Sequence, residues 1–386
     1  MKKVIIGLSG GVDSSVAALL LQEQGYEVIG IFLRNWSYLN KNCYWLEDSI
    51  DAMLICQQLN ITFHIYDMSV SYKKLVIDNL FKEFSYGKTP NPDILCNRDI
   101  KFNIFIKQAL SFKANFIATG HYAICQKKKT IYQLIEGVDK KKDQSYFLCQ
   151  LNQDQLSKSI FPLGIYNKKQ VRKKAEESRL ITSKKKDSQG LCFLGKTRLS
   201  DFLQSQLKCK LGEIIEISSD DPIYQSPIIS INNKENFFLS IFRKRRKYKF
   251  GKKIGIHYGA QFFTKGQRRG LRIGGTTKCL FVIDTDIENN IVFVGLGATH
   301  PGLYKKALFI REENIHWIRE DFSFLKGNKI NVKCRIRYKQ DLQHAKLNCV
   351  NKGIYIIFEK PQKSITEGQF AVWYFKEEVI GSGLIS

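Results

Sequence analysis

A short apolar run, Val4 to Leu8, is followed by apolar residues recurring at helical intervals, Val12, Val16, Leu19 and Leu20, in a segment that ends at Gln24. Gly25 closes that helix. Apolar runs at Val28 to Leu33 and Ile61 to Ile65, helical spacing over Asp48 to Leu59 and Tyr72 to Phe84, and a strand at Phe116 to Thr119 continue the alternation. This βαβαβ order predicts an α/β fold with a doubly wound parallel sheet, covered on both faces and joined by right-handed crossovers. Beyond about Leu199 the helical period fades into short, glycine-punctuated alternating segments, which predict β-rich domains. Ile330 to Lys339 alternates apolar residues with Asn331, Lys333, Arg335 and Arg337, predicting a strand with one apolar and one basic face. With Ile354 to Phe358, Phe370 to Phe375 and Val379 to Ile385, it predicts a small closed barrel. The implied organisation is a catalytic domain over residues 1–200, a central β-rich domain over 201–302 and a C-terminal barrel over 303–386.

Composition narrows the partners. With 386 residues, 44% of them hydrophobic, the chain can bury two or three cores. Sixty-one Lys plus Arg against 36 Asp plus Glu leave a net charge of +25, which favours a polyanion such as nucleic acid. An anionic membrane surface, or the Lys-, Ile- and Asn-rich coding of an AT-biased genome, would give a similar excess. The amino terminus, MKKVIIGLSGG, has too short an apolar stretch for a signal peptide and reads as a strand. No run reaches membrane-spanning length, so the expected location is the cytoplasm. The ten cysteines form no C-x-x-C pair, a pattern of reduced thiols rather than of structural zinc.

The chemistry starts at SGGVDSS, Ser9 to Ser15, directly after the first strand. Gly10 and Gly11 permit close backbone approach, and the amides of the following helix can hold phosphate. Ser9, Ser14 and Ser15 add hydroxyl donors, while Asp13 serves either Mg²⁺ or the helix cap. The loop lacks the lysine of G-x-x-x-x-G-K-[ST], and it is not G-x-G-x-x-G. It therefore points away from γ-phosphoryl transfer and toward cleavage of ATP to AMP and pyrophosphate. By itself it leaves open an ATP-dependent ligase or amidotransferase, or a basic RNA-binding protein whose loop merely holds phosphate.

Downstream segments decide among these. SGGVDSS resembles the pyrophosphate loop of the N-type ATP pyrophosphatases. NPDILCNRDIKF (Asn91 to Phe102), ATGHY (Ala118 to Tyr122), KKDQSYFL (Lys141 to Leu148) and KKKDSQGLCFLG (Lys184 to Gly195) together resemble the bacterial tRNA-specific 2-thiouridylases. GQRRGLRIGG (Gly266 to Gly275) and RIRYKQ (Arg335 to Gln340) extend the likeness over nearly the whole chain. The resemblance implies ATP and Mg²⁺, a tRNA with a wobble uridine (of the Lys, Glu or Gln type), and a sulfur-relay protein or cysteine desulfurase as persulfide donor. It implies ATP contacts at Gly7, Leu8, Ser9, Gly10, Gly11, Val12, Asp13, Ser14, Leu33 and Gly120. Cys192 would carry the sulfur as a persulfide. Cys96 would attack or resolve it, leaving a transient Cys96 to Cys192 disulfide, with Asp93 the acid/base candidate. Asn91, Pro92 and Asp93 would meet the target base, and His121, Lys142, Asp143, Gln144, Arg337, Tyr338 and Gln369 the tRNA.

The residues support this chemistry independently. Replacing a uracil oxygen by sulfur requires a leaving group, which adenylation provides, and a soft nucleophile, which a thiolate or persulfide provides. A free thiol has a pKa near ~8.5, so a reactive one needs a helix N-terminus or cations. Cys96 precedes a helical pattern over Asn97 to Leu110 and sits near Arg98 and Lys101; Cys192 follows Lys184, Lys185 and Lys186. Cys43, Cys56, Cys125, Cys149, Cys209, Cys279, Cys334 and Cys349 are expected to be core residues without chemistry. Strand alternation gives Arg337 an exposed face and turns Tyr338 toward the apolar side unless it lies at a strand end. The stretch between about Asp221 and Lys253, with its basic run FRKRRKYKF (Phe242 to Phe250), departs from the family and is expected to be a solvated loop rather than a phosphate grip.

Overall fold

The first strand, β1 (Lys3–Leu8), pairs in parallel with β2 (Glu27–Arg34) on one side and, on the other, with Phe116–Ala118, the fourth strand. The computed structural model describes residues 1–38, 44–187, 190–195, 197–224, 248, 251–323 and 329–386. β3 (Thr62–Asp67) continues the sheet beyond β2, and Ser159–Ile160 pairs with β4 (Phe116–Ala118), so every ladder in this five-stranded sheet is parallel. Helix α1 (Val12–Glu23) follows β1, and Gly25 turns left-handed at φ +80° behind it. With α2 (Tyr44–Gln58), α1 covers one face over a core of Val4, Ile6, Val16, Leu21, Ile55 and Cys56. Helix α3 (residues 69–85) and helix α4 (residues 92–111) cover the other, packing Tyr72, Ile77, Ile100 and Phe105 against Ile5, Ile31 and Ile117. Apolar contacts on both faces of a parallel sheet are the doubly wound arrangement that the alternation predicts.

β5 (Ala123–Lys128) and β6 (Ile131–Glu136) leave that sheet. They form an antiparallel hairpin in which β6 pairs with the last strand of the chain, matching Leu134 with Val379 and Ile135 with Glu378. The first domain is thus laced into the C-terminal one, and Phe370, Val372, Tyr374 and Val379 belong to the same buried cluster as Ile94 and Ile100. The sequence reading did not foresee this, since a two-strand hairpin inside an α/β stretch carries no sign of its partner.

Among the described residues, no α-helix follows Leu199–Gln206. A four-stranded sheet comes next, with Gly212–Ile217 between Lys252–His257 and Ile291–Leu296, around Ile214, Val282, Val292 and Val294. The C-terminal domain is a barrel-like antiparallel sheet in which Lys329–Arg335 pairs with both Gln343–Val350 and Phe370–Phe375. That strand ends at Arg335, short of the predicted Lys339. Its Ile330, Val332 and Cys334 enter the core as alternation requires, but Arg335 is buried too, at 5% exposure, so the basic face is interrupted. Cys56, Cys149 and Cys334 are core residues as expected, whereas Cys209 and Cys279 are exposed because they sit in connecting segments just outside α-helix and strand ends.

Candidate active site

In a doubly wound sheet, ligands gather at the carboxyl ends of strands where the order reverses. Here that point lies between β1 and β4. Ser9 to Ser15 leaves β1, and Gly120 and His121 leave β4. Ser14 Oγ donates to the Gly11 carbonyl (3.1 Å) and accepts from the Ser9 amide (3.2 Å), and Ser15 Oγ donates to the same carbonyl (2.9 Å). These bonds fix the loop. The α1 N-cap is Gly11, which offers no side-chain cap, so the helix amides are free to face an anion. Gly10 holds φ +68°, and a Cβ there would lie 2.2 Å from the Asp48 carbonyl oxygen. A Cβ on Gly120 would lie 2.9 Å from the Ser14 amide nitrogen. Both positions therefore require glycine.

Asp13 does not cap the helix. Its carboxylate accepts from Lys168 Nζ at 2.7 and 2.8 Å and from the Tyr122 hydroxyl at 2.7 Å. Lys168 also reaches Asp187 (2.7 Å), which in turn binds Lys142 (2.8 Å) and Arg172 (2.8 Å). Burial works to raise the Asp187 carboxyl, but the bonds from Lys142 and Lys168 outweigh it and hold the group well below the ordinary carboxylate range. This chain of charges ties the phosphate loop to the segment that carries Cys192. Neither Lys168 nor Asp187 is legible as a site residue from spacing, because each acts through a partner far away in sequence.

A cavity of about 1700 Å³ runs from this loop past Asp93, Lys101, His121 and Cys192 to a rim carrying Lys140, Lys141, Lys142, Lys333 and Lys339. It exceeds the usual volume of a small-ligand pocket, about 300–1,000 Å³. Of the residues expected at ATP, Gly7, Leu8, Ser9, Gly11, Val12, Asp13, Ser14, Leu33 and Gly120 line it.

Cys192 lines this space, whereas Cys96 is buried and outside its lining. Asn91 caps α4 by accepting from the Ile94 amide (3.3 Å), and Pro92 takes the first helical position. The helix therefore begins one turn before Cys96, not at it. Cys96 is 4% exposed, and burial pushes its thiol up to about 12, against the opposing pull of Lys101. Expected activation by a helix N-terminus is thus absent. Cys192 opens onto the cavity wall yet lies among protein groups, and burial raises its thiol as well. Its neighbours are Tyr72, whose hydroxyl lies 3.6 Å from the sulfur, and Asn35. The lysine run before it contributes little to the thiol, since Lys185 is drawn off to Asp48 (2.7 Å) and Asp51 (2.5 Å) on α2. Both thiols are free, and the charge of Cys192 is among the influences that raise Cys96. Asp93 is raised by burial, with Lys101 opposing.

The tRNA candidates divide. His121 faces the cavity at 9% exposure, its Nδ1 bonded to the Thr119 hydroxyl (2.7 Å), and burial followed by Lys101 keeps it neutral. Lys142, Gln144 and Tyr338 line the same space; Tyr338 lies past the strand end and stacks on Phe147 at 4.3 Å. Asp143 also lines it, but at 2% exposure its carboxylate accepts from the amides of Gly137 (3.0 Å) and Ser145 (3.1 Å) and from Arg335, so it braces its own loop. Arg337 does not have the expected exposed strand face: lying outside the strand, its guanidinium donates to the carbonyls of Lys265 and Ser364 and to Thr366 Oγ1, joining two domains. Gln369 donates to the Thr89 carbonyl (2.7 Å), and Asn91 faces a separate cavity of about 490 Å³, leaving Asp93 as the member of its trio in the main one. Apart from Tyr248, the basic run Phe242 to Phe250 lies outside the described residues, as does Cys43.

A phosphate-binding loop at the switch point of a doubly wound sheet, opening into a space with a basic rim, defines a class: ATP-using enzymes of the PP-loop type. Comparison with known proteins is consistent along the whole chain. Residues 2–196 match the tRNA methyl transferase HUP domain, residues 243–296 the tRNA methyl transferase PRC-barrel domain, and residues 308–385 the aminomethyltransferase beta-barrel domain. The chain is 51% identical to the tRNA-specific 2-thiouridylase MnmA of Flavobacterium johnsoniae, with 100% of both chains covered. It is 52% identical to that of Karelsulcia muelleri (100% and 99% covered) and 37% identical to that of Bacillus subtilis (99% and 94%). The chain belongs to the tRNA-specific 2-thiouridylase family, ATP-using tRNA sulfurtransferases. Among the described residues no helix is long and apolar enough to cross a membrane.

Proposed function

We propose that the protein adenylates the C2 oxygen of a tRNA wobble uridine at the Ser9 to Ser15 loop and replaces that oxygen by sulfur carried on Cys192. The observation that carries this reading is the continuity of one cavity from the phosphate loop to Cys192. The uracil oxygen attacks the α-phosphorus of ATP, and pyrophosphate leaves with the electrons of the broken P–O bond, facing the helix amides. Asp13 would reach a Mg²⁺ by giving up bonds it now accepts from Lys168 and Tyr122. Such an ion, held largely by the phosphates as Mg²⁺ usually is, would neutralise charge on the departing pyrophosphate. Among the described residues no cluster of three metal-ligating side chains offers a separate site.

Asp93, a stronger base than a solvated carboxylate because burial raises it, accepts the proton of the Cys192 persulfide. The terminal sulfur bonds to C2, and AMP departs with the oxygen. Cys96 then attacks Cys192 Sγ as its thiolate, its proton ending on N3 of the 2-thiouridine that is released. The S–S bond breaks with its electrons on the transferred sulfur, giving 2-thiouridine and a Cys96 to Cys192 disulfide that a thiol reductant reopens. If Cys96 attacks first, hydrosulfide is released and adds to C2, and the same disulfide results. A sulfur-relay protein or a cysteine desulfurase loads the persulfide. Lys140, Lys141 and Lys142, with Lys333 and Lys339, supply positive charge for the RNA backbone.

The test is incubation with ATP, Mg²⁺, a persulfide donor and unmodified tRNA, followed by nucleoside mass analysis. Wild-type protein yields 2-thiouridine, and Cys192→Ser yields none while still releasing pyrophosphate with tRNA. Full thiolation by Cys192→Ser refutes the assignment, and absence of any pyrophosphate release would favour a protein that only binds RNA.

A further inference from the structure

Among the cations that line the cavity, Lys140 holds Glu136, Lys142 holds Asp187 and Arg335 holds Asp143, while Lys101, Lys141, Lys186, Lys333, Lys339 and Lys376 have no ion pair among the described residues. Lys141, Lys186, Lys333, Lys339 and Lys376 are exposed. Lys101 differs: it is half-buried in the cavity wall, with no side-chain hydrogen bond among the described residues. An ammonium drawn partly out of water without a counterion is costly unless an anion joins it, so the position is suited to an anion that appears during turnover.

The backbone indicates which anion. Helix α4 is π-bonded from Cys96 to Ile104, and the Phe105 amide donates to the Ile100 carbonyl five residues back. In an α-helix of about 3.6 residues per turn, residue i+5 stands about 140° round from residue i. Bonding from i to i+5 widens the turn and brings Lys101 back toward the face of Cys96. Segments of this kind recur at functional sites. Lys101 and Asp93 line the same cavity as Cys192. The groups around the thiols are Tyr72 from α3, Asn35 after β2, Asp93, Cys96, Asp99 and Lys101 from α4, and His121 after β4. Burial is the larger influence on Asp93, Cys96 and Cys192, and Lys101 is the cation that opposes it at all three.

We propose that Lys101 is a positioning residue for sulfur transfer, its ammonium holding first the anionic terminal sulfur of the Cys192 persulfide and then the Cys96 thiolate. The inference rests on the thiolation reading above. Lys101 exchanges no proton or electron; it stabilises the charge left when Asp93 takes the persulfide proton, and it offsets the desolvation that otherwise keeps both thiols neutral.

Lys101→Met, Lys101→Gln and Lys101→Arg in the full chain test this with two readouts. One is the pH dependence of iodoacetamide alkylation of Cys192 in a Cys96→Ser background. The other is the pH profile of single-turnover 2-thiouridine formation with Cys96 intact. Loss of the cation moves the alkylation midpoint up by about one pH unit and lowers neutral-pH thiolation about tenfold, the least that a neighbouring opposite charge typically contributes. Arginine restores most of both. A methionine or glutamine variant whose midpoint and rate profile match wild type overturns the proposal, as does failure of arginine to rescue. Absence of 2-thiouridine from the wild-type protein would instead overturn the thiolation reading, and this inference with it.

Discussion

Replacing Arg335 by methionine is expected to loosen the hold of the C-terminal sheet on the loop that presents Lys140 to Lys142. Arg335 and Asp143 are 5% and 2% exposed, and the guanidinium also bonds the Tyr374 hydroxyl (2.6 and 3.0 Å) and Ser145 Oγ (3.3 Å). Removing one partner of a buried pair costs about 3–5 kcal/mol. Asp143 would retain the Gly137 amide, the Ser145 amide and the Ser145 hydroxyl at 3.0–3.1 Å, which places the cost near the lower limit, about 3 kcal/mol. At about 2–4 °C per kcal/mol for a domain of this size, the melting temperature falls by about 6–12 °C. Removing both charges, Asp143→Asn with Arg335→Met, leaves no stranded ion, so the double variant should be the more stable of the two. Calorimetry on wild type, both single variants and the double variant reads the coupling, which should reach about 2 kcal/mol. Because the chain holds several cores, the transition that moves is the one compared. A single Arg335→Met variant melting within about 2 °C of wild type, or a double variant no better than the sum of its parts, refutes the reasoning.

Two further outcomes follow from the phosphate loop. Gly10→Ala places a Cβ 2.2 Å from the Asp48 carbonyl at φ +68°, with a left-handed penalty of roughly 1–2 kcal/mol besides; calorimetric titration with Mg-ATP should show affinity reduced at least about tenfold, and unchanged affinity would count against the loop. Asp187 has a folded pKa below its unfolded value, so its stabilisation is present above the ordinary value of 3.8 and is lost as pH falls below that. Asp187→Asn should therefore lower the melting temperature at pH 7 and erase part of the wild-type decline on acidification, and parallel curves for the two proteins would show that the ion network contributes no stability.

The elements that read correctly from sequence are those whose signal is local. β1, α1 and the turn at Gly25 follow from an apolar run, a 3.6-residue spacing and one left-handed glycine, and SGGVDSS lies where a strand hands over to a helix. The β5–β6 hairpin was not legible because its partner, Glu378–Leu384, lies more than 200 residues away and pairing leaves no trace in either segment's period. Alternation misplaced Arg335 and Arg337 for a related reason. It assumes that a charged side chain seeks water, whereas each of these guanidinium groups finds acceptors supplied by other elements.

The cysteines show why residue type and motif cannot supply reactivity. Neighbours in sequence suggested that a helix start and a lysine run lower the thiol pKa, yet α4 begins a turn earlier than Cys96 and Lys185 is spent on α2. Folding raises both thiols instead. A pair of thiols kept neutral in the resting protein resists premature alkylation and disulfide closure, because the thiolate is the reactive form. Ionisation must then be supplied when substrate is present. A persulfide is more acidic than its parent thiol, and the groups that can receive its proton and balance its charge, Asp93 and Lys101, stand on the helix that also carries Cys96. Under the proposed reaction, burial thus ties the nucleophile's appearance to the loading of sulfur on Cys192.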